Sequence, residues 1–418
     1  MQSPTARNLI PSLYKAALTS QDDRFKRLRG VFTPAVTLLS MMIFSSIGCP
    51  TGYDGLMTTM FVIFGGKLKW AIDPCGSSFC RARKKITEDM FARFRLEVMR
   101  MAKPTLSLFL PRVGNYRVVA IDGSWISVPN STILRRLLGI HCIGPKRCPM
   151  KKPQILMVVL TDAITRMPIA RVYLPGIGSE REAAKELLKH LKPDDILVVD
   201  RGYEGRELLH MIHATGCRYA LRVSGGKKAW REFRGLQRRR IRDAHVTVSH
   251  QGSSVTVRHL RISGGPGRPR KGTKRETMFL LTNLPQSWSV KRIEWIYRAR
   301  WGIETMFREL KGTLETKRLR SRDLSGIIQE LDARCLHLTM ACILDMATIL
   351  NHQAASKNGK MKFQTNRTTL LVIEFFLIVA EDDAGMTERA HIAAESASKR
   401  AQKIRPGRHA PRRKKMFA

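Results

Sequence analysis

Between residues 116 and 223 the chain carries five short apolar runs, and their order limits the folds open to it. "YRVVAID", "QILMVVLTDA" and "PIARVYL" read as three strands, the last two joined by a turn at Arg166-Met167. "DILVVDRGYEG" and "CRYALRV" read as two more, separated by helical patterns: "SEREAAKELLKHL", with serine at its N-cap, and "RELLHMIHATG", with glycine after its end. An antiparallel set followed by alternating helix and strand predicts a mixed α/β layer fold. Residues 1 to about 112 read helical, with Thr33-Pro34 and Thr87 as helix starts. The segment "SFCRARKKI" gathers Arg81, Arg83, Lys84 and Lys85 on one short helix, as part of a helix-turn-helix or of a plain basic helical domain. Over about 226–285, "AHVTVSHQGSSVTVRHLRI" alternates with period two across a Gly-Ser turn, and "ETMFLLTNL" adds a third strand. The long helix "SGIIQELDARCLHLTMACILDMATIL", another over 367–380 and a basic tail over 399–415 complete the chain.

Charge narrows the partners. The 418 residues hold 74 Lys and Arg against 34 Asp and Glu, a net charge of +40. Such an excess calls for a polyanion, and nucleic acid is the first candidate. The apolar runs "AVTLLSMMIF" and "TLLVIEFFLIVA" are too short to span a bilayer, so no membrane association and a cytoplasmic location are expected. Eight irregularly placed cysteines fit a reducing compartment, and neither Cys75/Cys80 nor Cys142/Cys148 has zinc-ribbon spacing. Neither a Walker loop nor a strand-following Gly-x-Gly-x-x-Gly occurs, which argues against an ATP-driven or dinucleotide enzyme.

Two of the strands end in aspartate, Asp122 in "VVAIDGSW" and Asp200 in "ILVVDRGY". Open α/β sheets place ligands at the carboxyl ends of their strands, although a single strand-end Asp is ordinary turn chemistry. A third carboxylate lies in "YRARWGIETMFRELK", which reads as one helix. Tyr297, Arg300, Glu304 and Lys311 fall within an arc of roughly 60° on it, at about 100° per residue. That arc borders the apolar face formed by Ile296, Ile303, Met306, Phe307, Leu310 and Leu314. The stripe is either a solvated face with Arg–Glu pairs or one wall of a cleft. Three converging carboxylates in so basic a chain point to Mg²⁺, a hard ion that takes oxygen ligands. Two such ions can stabilise both the attacking and the leaving oxygen of a phosphoryl transfer.

The pattern Tyr297-x₂-Arg300-x₃-Glu304-x₆-Lys311 resembles the "YREK" signature of insertion-sequence family four, bacterial DDE transposases. "DGS" at 122–124 and "DRGY" at 200–203 look like that family's two aspartate motifs, and the resemblance spans roughly residues 26 to 415. It implies an RNase H-like fold interrupted by a β-rich insertion. The division expected is a helical DNA-binding region at 1–112, a catalytic core at 113–225 and 286–352, the insertion at 226–285, and a C-terminal helix with a basic tail at 353–418. It also implies Asp122, Asp200 and Glu304 as catalytic ligands of two Mg²⁺ ions, which Mn²⁺ can replace. Tyr297, Arg300 and Lys311 would contact DNA phosphates. The implied activity is cutting of terminal inverted repeats and joining to target DNA, within a homodimeric complex at the bacterial nucleoid.

Some relatives use an insertion-domain Trp where a base flips out, and Trp230 and Trp288 are the candidates here, a core role being expected of Trp288. The loop "GRPRKG" at 267–272, with Arg268 and Lys271, reads as a DNA contact, either an AT-hook-like core or a basic hairpin tip. An RNase H-like nuclease, or a noncatalytic DNA-binding regulator derived from a transposase, are the rival readings.

Overall fold

The computed structural model describes residues 32–44, 53–58, 75–109, 112–140, 142–143, 148–149, 152–262, 277–312, 314 and 319–355. Its centre is one eight-stranded sheet in the order β5-β4-β1-β6-β7-β10-β9-β8. The strands are β1 (Arg117–Ser127), β4 (Gln154–Asp162), β5 (Pro168–Pro175), β6 (Asp195–Val199), β7 (Arg218–Val223), β8 (Asp243–His250), β9 (Ser253–Ile262) and β10 (Met278–Thr282). A two-stranded ribbon, β2 (Cys142–Ile143) with β3 (Cys148–Pro149), lies apart from it. β1, β4 and β5 are antiparallel neighbours, while β6 and β7 run parallel to β1. Those five strands form the mixed α/β sheet expected of an RNase H-like fold. β10 then pairs antiparallel with β7, so the β-rich segment continues this same sheet.

The continuous apolar runs of β1 and β6 follow from burial on both faces. Val118 and Ala120 pack into one core with Ile196 and Val198, and Val119 and Ile121 pack into the other with Leu197 and Val199. The helices divide between the two faces. On the first lie α1 (Pro34–Phe44), α2 (Gly76–Arg83), α3 (Glu88–Phe109), α8 (Val290–Arg298), α9 (Trp301–Gly312) and α10 (Leu324–Ala355). On the second lie α5 (Glu180–Leu187), α6 (Arg206–Ala214) and α7 (Arg231–Arg238). A short α4 (Thr132–Leu138), capped by Ser131, follows β1. Among the described residues no helix is long and apolar enough to cross a membrane.

Several local expectations need correction. Helix α2 starts at Gly76, with Cys75 at its N-cap, and Arg83 is not part of a solvated basic face. Its guanidinium is buried and donates to Ser321 Oγ (2.7 Å) and the Gly326 carbonyl (3.0 Å). Gln329 returns bonds to the Arg83 and Ile86 carbonyls, so "SFCRARKKI" is tied to the start of α10. The β8–β9 hairpin turns at Gln251 and Gly252, both at positive φ, rather than at a Gly-Ser pair. Two left-handed central residues match the twist of a tight hairpin, and Gly252 meets that demand without strain. The helix expected over 367–380, the basic tail, Arg268 and Lys271 lie outside the described residues.

Candidate active site

Asp122 does not sit in a turn. β1 runs on through "DGS" to Ser127, because β4 pairs with it as far as Ser127↔Gln154, with Asp122 opposite Val159. The parallel pairing with β6, however, ends at Ala120↔Val198. Asp122 therefore lies just beyond the parallel strands, on their carboxyl edge, and Asp200 follows β6 at the same edge. Successive strand residues alternate faces, so Asp122 and Ser124 share the face of Val118 and Ala120, where α9 packs.

The helix read over 297–311 is two helices. α8 ends at Arg298 and α9 begins at Trp301. Across the break the backbone bonds tighten to three-residue steps, Arg300 N–H to Tyr297 O (3.1 Å), Gly302 to Ala299 (2.8 Å) and Ile303 to Arg300 (3.1 Å). Just past the break the packing is close: a Cβ on Gly302 would lie 1.9 Å from the Ala163 carbonyl oxygen in the β4–β5 turn. In such a turn side chains three apart eclipse. That aligns Tyr297 with Arg300 more closely than a continuous helix would.

The stripe does converge on the sheet edge. Tyr297 is buried and its hydroxyl donates to Asp200 Oδ1 at 3.4 Å. Arg300, also buried, donates to Glu304 Oε1 at 2.7 Å and lies 3.9 Å from Asp200 Oδ2. Lys311 Nζ donates to Ser124 Oγ, two residues past Asp122. Arg308 is exposed. Arg300 is thus the positive charge between the second aspartate and the glutamate.

Sequence reasoning did not find three further neighbours. Arg222, on β7, lies 3.4 Å from Asp200 Oδ1. Ser124, inside the "DGS" motif, receives Lys311. Glu180, at the start of α5, packs against Gly123 from the opposite face, where a Cβ would meet its carboxyl carbon at 2.7 Å. Arg222 could have been suspected from its place near the end of a strand adjacent to Asp200. Glu180 carried no sequence signal, since an acidic first turn is common helix chemistry.

The carboxylates differ in their electrostatics. Burial pushes Asp122 up to about 6; the Gly123 N–H and Arg300 oppose this, and Glu180 and Asp200 add to it. Half-burial also pushes Asp200 up, but the Arg201 N–H, Arg300, Arg222 and Tyr297 outweigh it and hold the carboxyl below its usual range. Burial raises Glu180 as well, against a lowering contribution from Tyr203.

An oxygen-only donor set of Asp122, Asp200 and Glu304 suits a hard divalent cation. Among the described residues no three Asp, Glu, His or Cys side chains are close enough together to hold an ion. Glu304 is turned onto Arg300 instead, so Arg300 supplies the charge that a cation would otherwise bring. The donor types suit a hard cation, and Asp122, desolvated beside other acids, is where added positive charge would be most favourable.

Trp230 and Trp288 are both engaged. Trp288 meets Tyr116 edge-on at 5.9 Å and lies under the Arg292 guanidinium at 3.7 Å, packed against the core. Trp230 lies beside Phe233 at 5.4 Å, with Arg206 over its ring at 5.1 Å.

The mixed sheet with helices on both faces is the α/β architecture of RNase H-like DDE nucleases. Residues 114–340, more than half of the chain, match the sequence family described as Transposase DDE domain, and the chain belongs to that family. Divalent metal ions are the general cofactors of DDE transposases. Among solved structures the chain is similar to a piggyBac transposase, in a synaptic complex with hairpin DNA. The identity is 11%, with 99% of this chain and 86% of that chain covered and a TM-score of 0.44. No curated protein matches the chain in sequence.

Proposed function

We propose that this chain is a transposase of the insertion-sequence family four type, which cuts the ends of its element and joins them to target DNA. The observation that carries this is the placement of Tyr297, Arg300, Glu304 and Lys311 along the edge that holds Asp122 and Asp200. A solvated helix face would have no reason to bury Tyr297 and Arg300 against two acidic residues. The domain division given above remains part of this reading, as does a homodimer acting on DNA.

In this reading Asp122, Asp200 and Glu304 would hold Mg²⁺, or Mn²⁺ in its place, which would supply Lewis-acid stabilisation of the scissile phosphate. The residues of the chain orient and neutralise. Arg300 offers a forked guanidinium to phosphate oxygens once Glu304 turns to the metal, and Lys311 offers a point charge beyond Asp122. Tyr297 fixes the Asp200 carboxylate through its hydroxyl. Arg222 reaches the same Asp200 oxygen, Arg300 lies by the other, and both help keep the carboxylate ionised.

The test separates binding from chemistry. Asp122→Ala, Asp200→Ala and Glu304→Ala should each retain DNA binding and lose Mg²⁺-dependent cleavage of a duplex carrying the inverted repeats that flank the gene. Normal cleavage by any one variant removes that residue from the triad. Retained binding with no cleavage by the unaltered protein would favour a noncatalytic regulator, and cleavage without joining a nuclease.

A further inference from the structure

The strands that prolong the sheet carry a second concave feature at the same edge. A cavity of about 510 Å³ is lined by Lys227, Arg234, Arg238, Arg240, Arg261 and the ring of Phe279, with no Asp or Glu among the described residues of its wall. Arg234 spends its Nε on the Ala229 carbonyl (2.9 Å). Lys227, Arg238, Arg240 and Arg261 make no ion pair among the described residues, although the chain has acids nearby that pair elsewhere: Asp243 with Arg258 and Glu232 with Arg206. Like charges gathered around one hollow raise the local positive potential, and such a hollow attracts an anionic partner.

The backbone supports the same conclusion. Helix α7 ends in a paired-bond cap, with Ile241 N–H to Leu236 O (3.0 Å) and Arg240 N–H to Gln237 O (3.2 Å). The residue at the turn of such a cap is usually glycine, because it must be left-handed. Here it is Arg240, at φ 55°. A bulky cationic side chain is held in a conformation that disfavours it, and the result is that it lines the cavity. Strain of this kind collects where a side chain has a task.

Sheet topology then fixes the distance to the catalytic edge. β7 runs parallel to β6, so Gly225–Lys228 leave it at the edge where Asp200 leaves β6. β10 is antiparallel to β7, with Phe279 opposite Val223, and β9 is antiparallel to β10, with Arg261 opposite Phe279. β10 therefore begins, and β9 ends, at that same edge. With strands about 4.8 Å apart, the cavity lies roughly 10–15 Å along it from Asp200. A duplex rises about 3.4 Å per base pair, so this is a reach of three to four base pairs.

We propose that this cavity is a phosphate cradle for the DNA backbone. It would hold phosphates three to four base pairs from the one at Asp200, and Arg238, Arg240, Arg261 and Lys227 supply the contacts. The inference rests on the transposase reading and adds a binding site outside the carboxylate edge. Because β7, β9 and β10 belong to the catalytic sheet, the cradle and the carboxylates are parts of one rigid element. It therefore sets register on the substrate and carries no base specificity.

The experiment uses the full chain without metal, so that cleavage is not required, and a fluorescein-labelled DNA duplex titrated at several salt concentrations. Each phosphate contact contributes about 0.9 to the slope of log K against log salt. The double variant Arg238→Ala/Arg240→Gly should flatten that slope by about 2 and weaken binding roughly tenfold at low salt. Arg239→Ala, which removes the same kind of charge from an exposed residue between them that does not line the cavity, should do much less. Arg240→Gly alone should lower affinity while leaving the melting temperature unchanged or raised, since glycine relieves the left-handed strain. A slope for the double variant equal to that of Arg239→Ala, with the unaltered protein binding normally, overturns the cradle alone. Absence of DNA binding by the unaltered protein overturns the transposase reading and the cradle with it.

Discussion

Arg300→Ala is the most informative single change at the candidate site. The sequence places Arg300 on a polar stripe, where loss of a surface ion pair costs at most about 1 kcal/mol. The structure changes that expectation, because Arg300 is 7% exposed and stands between Glu304 and Asp200. Its removal leaves two carboxylates facing each other near a third that burial already disfavours. Glu304 and Asp200 keep side-chain exposures of 35% and 37%, so water can re-enter and the loss stays well below that of a fully buried pair. An expected destabilisation of about 1–3 kcal/mol follows from an unpaired, partly buried charged group. Arg308→Ala, at an exposed position on the same helix, should stay within about 0.5 kcal/mol. Urea unfolding of both variants, with and without Mg²⁺, measures this. The added ion should restore more stability to Arg300→Ala than to the unaltered protein, because it replaces the missing charge. In single-turnover cleavage Arg300→Ala should fall about 100-fold or more, as expected when a donor to a developing phosphate charge is lost. Identical behaviour of Arg300→Ala and Arg308→Ala in unfolding and in cleavage would refute both the bridging role and the phosphate contact.

Two further outcomes are expected. Asp122, raised from 3.8 to about 6, holds its proton more tightly in the folded protein than in the unfolded chain. Its favourable contribution is complete below about pH 4 and is lost as pH rises through 6, so Asp122→Asn should stabilise the metal-free protein at about pH 8 by about 1–3 kcal/mol and do little at about pH 4, measured by unfolding across pH. Gly302→Ala would drive a methyl into the Ala163 carbonyl, prying α9 from the β4–β5 turn, and should cost upward of about 2 kcal/mol in thermal or urea unfolding while lowering cleavage through Glu304.

The sequence by itself determined the elements whose signals are local. The apolar runs of β1, β4, β6 and β7 are legible because strands buried on both faces are apolar throughout. Asp122, Asp200 and Glu304 stood out because a carboxylate following such a run, or one bordering a helix's apolar face, breaks a regular pattern. Only the tertiary structure decided the rest. Whether "DGS" turns or continues depends on β4, which extends the pairing to Ser127, and on β6, which stops at Ala120. The break at Ala299–Arg300 is followed by a close approach of Gly302 to the Ala163 carbonyl, more than a hundred residues earlier in the chain. That Arg83 ties two helices together, that Glu180 reaches Gly123, and that β8–β10 extend the catalytic sheet through β10 and β7 are likewise long-range contacts. Periodicity reports which side of an element is buried. It does not report what buries it, and that partner fixes the distances on which the chemistry depends.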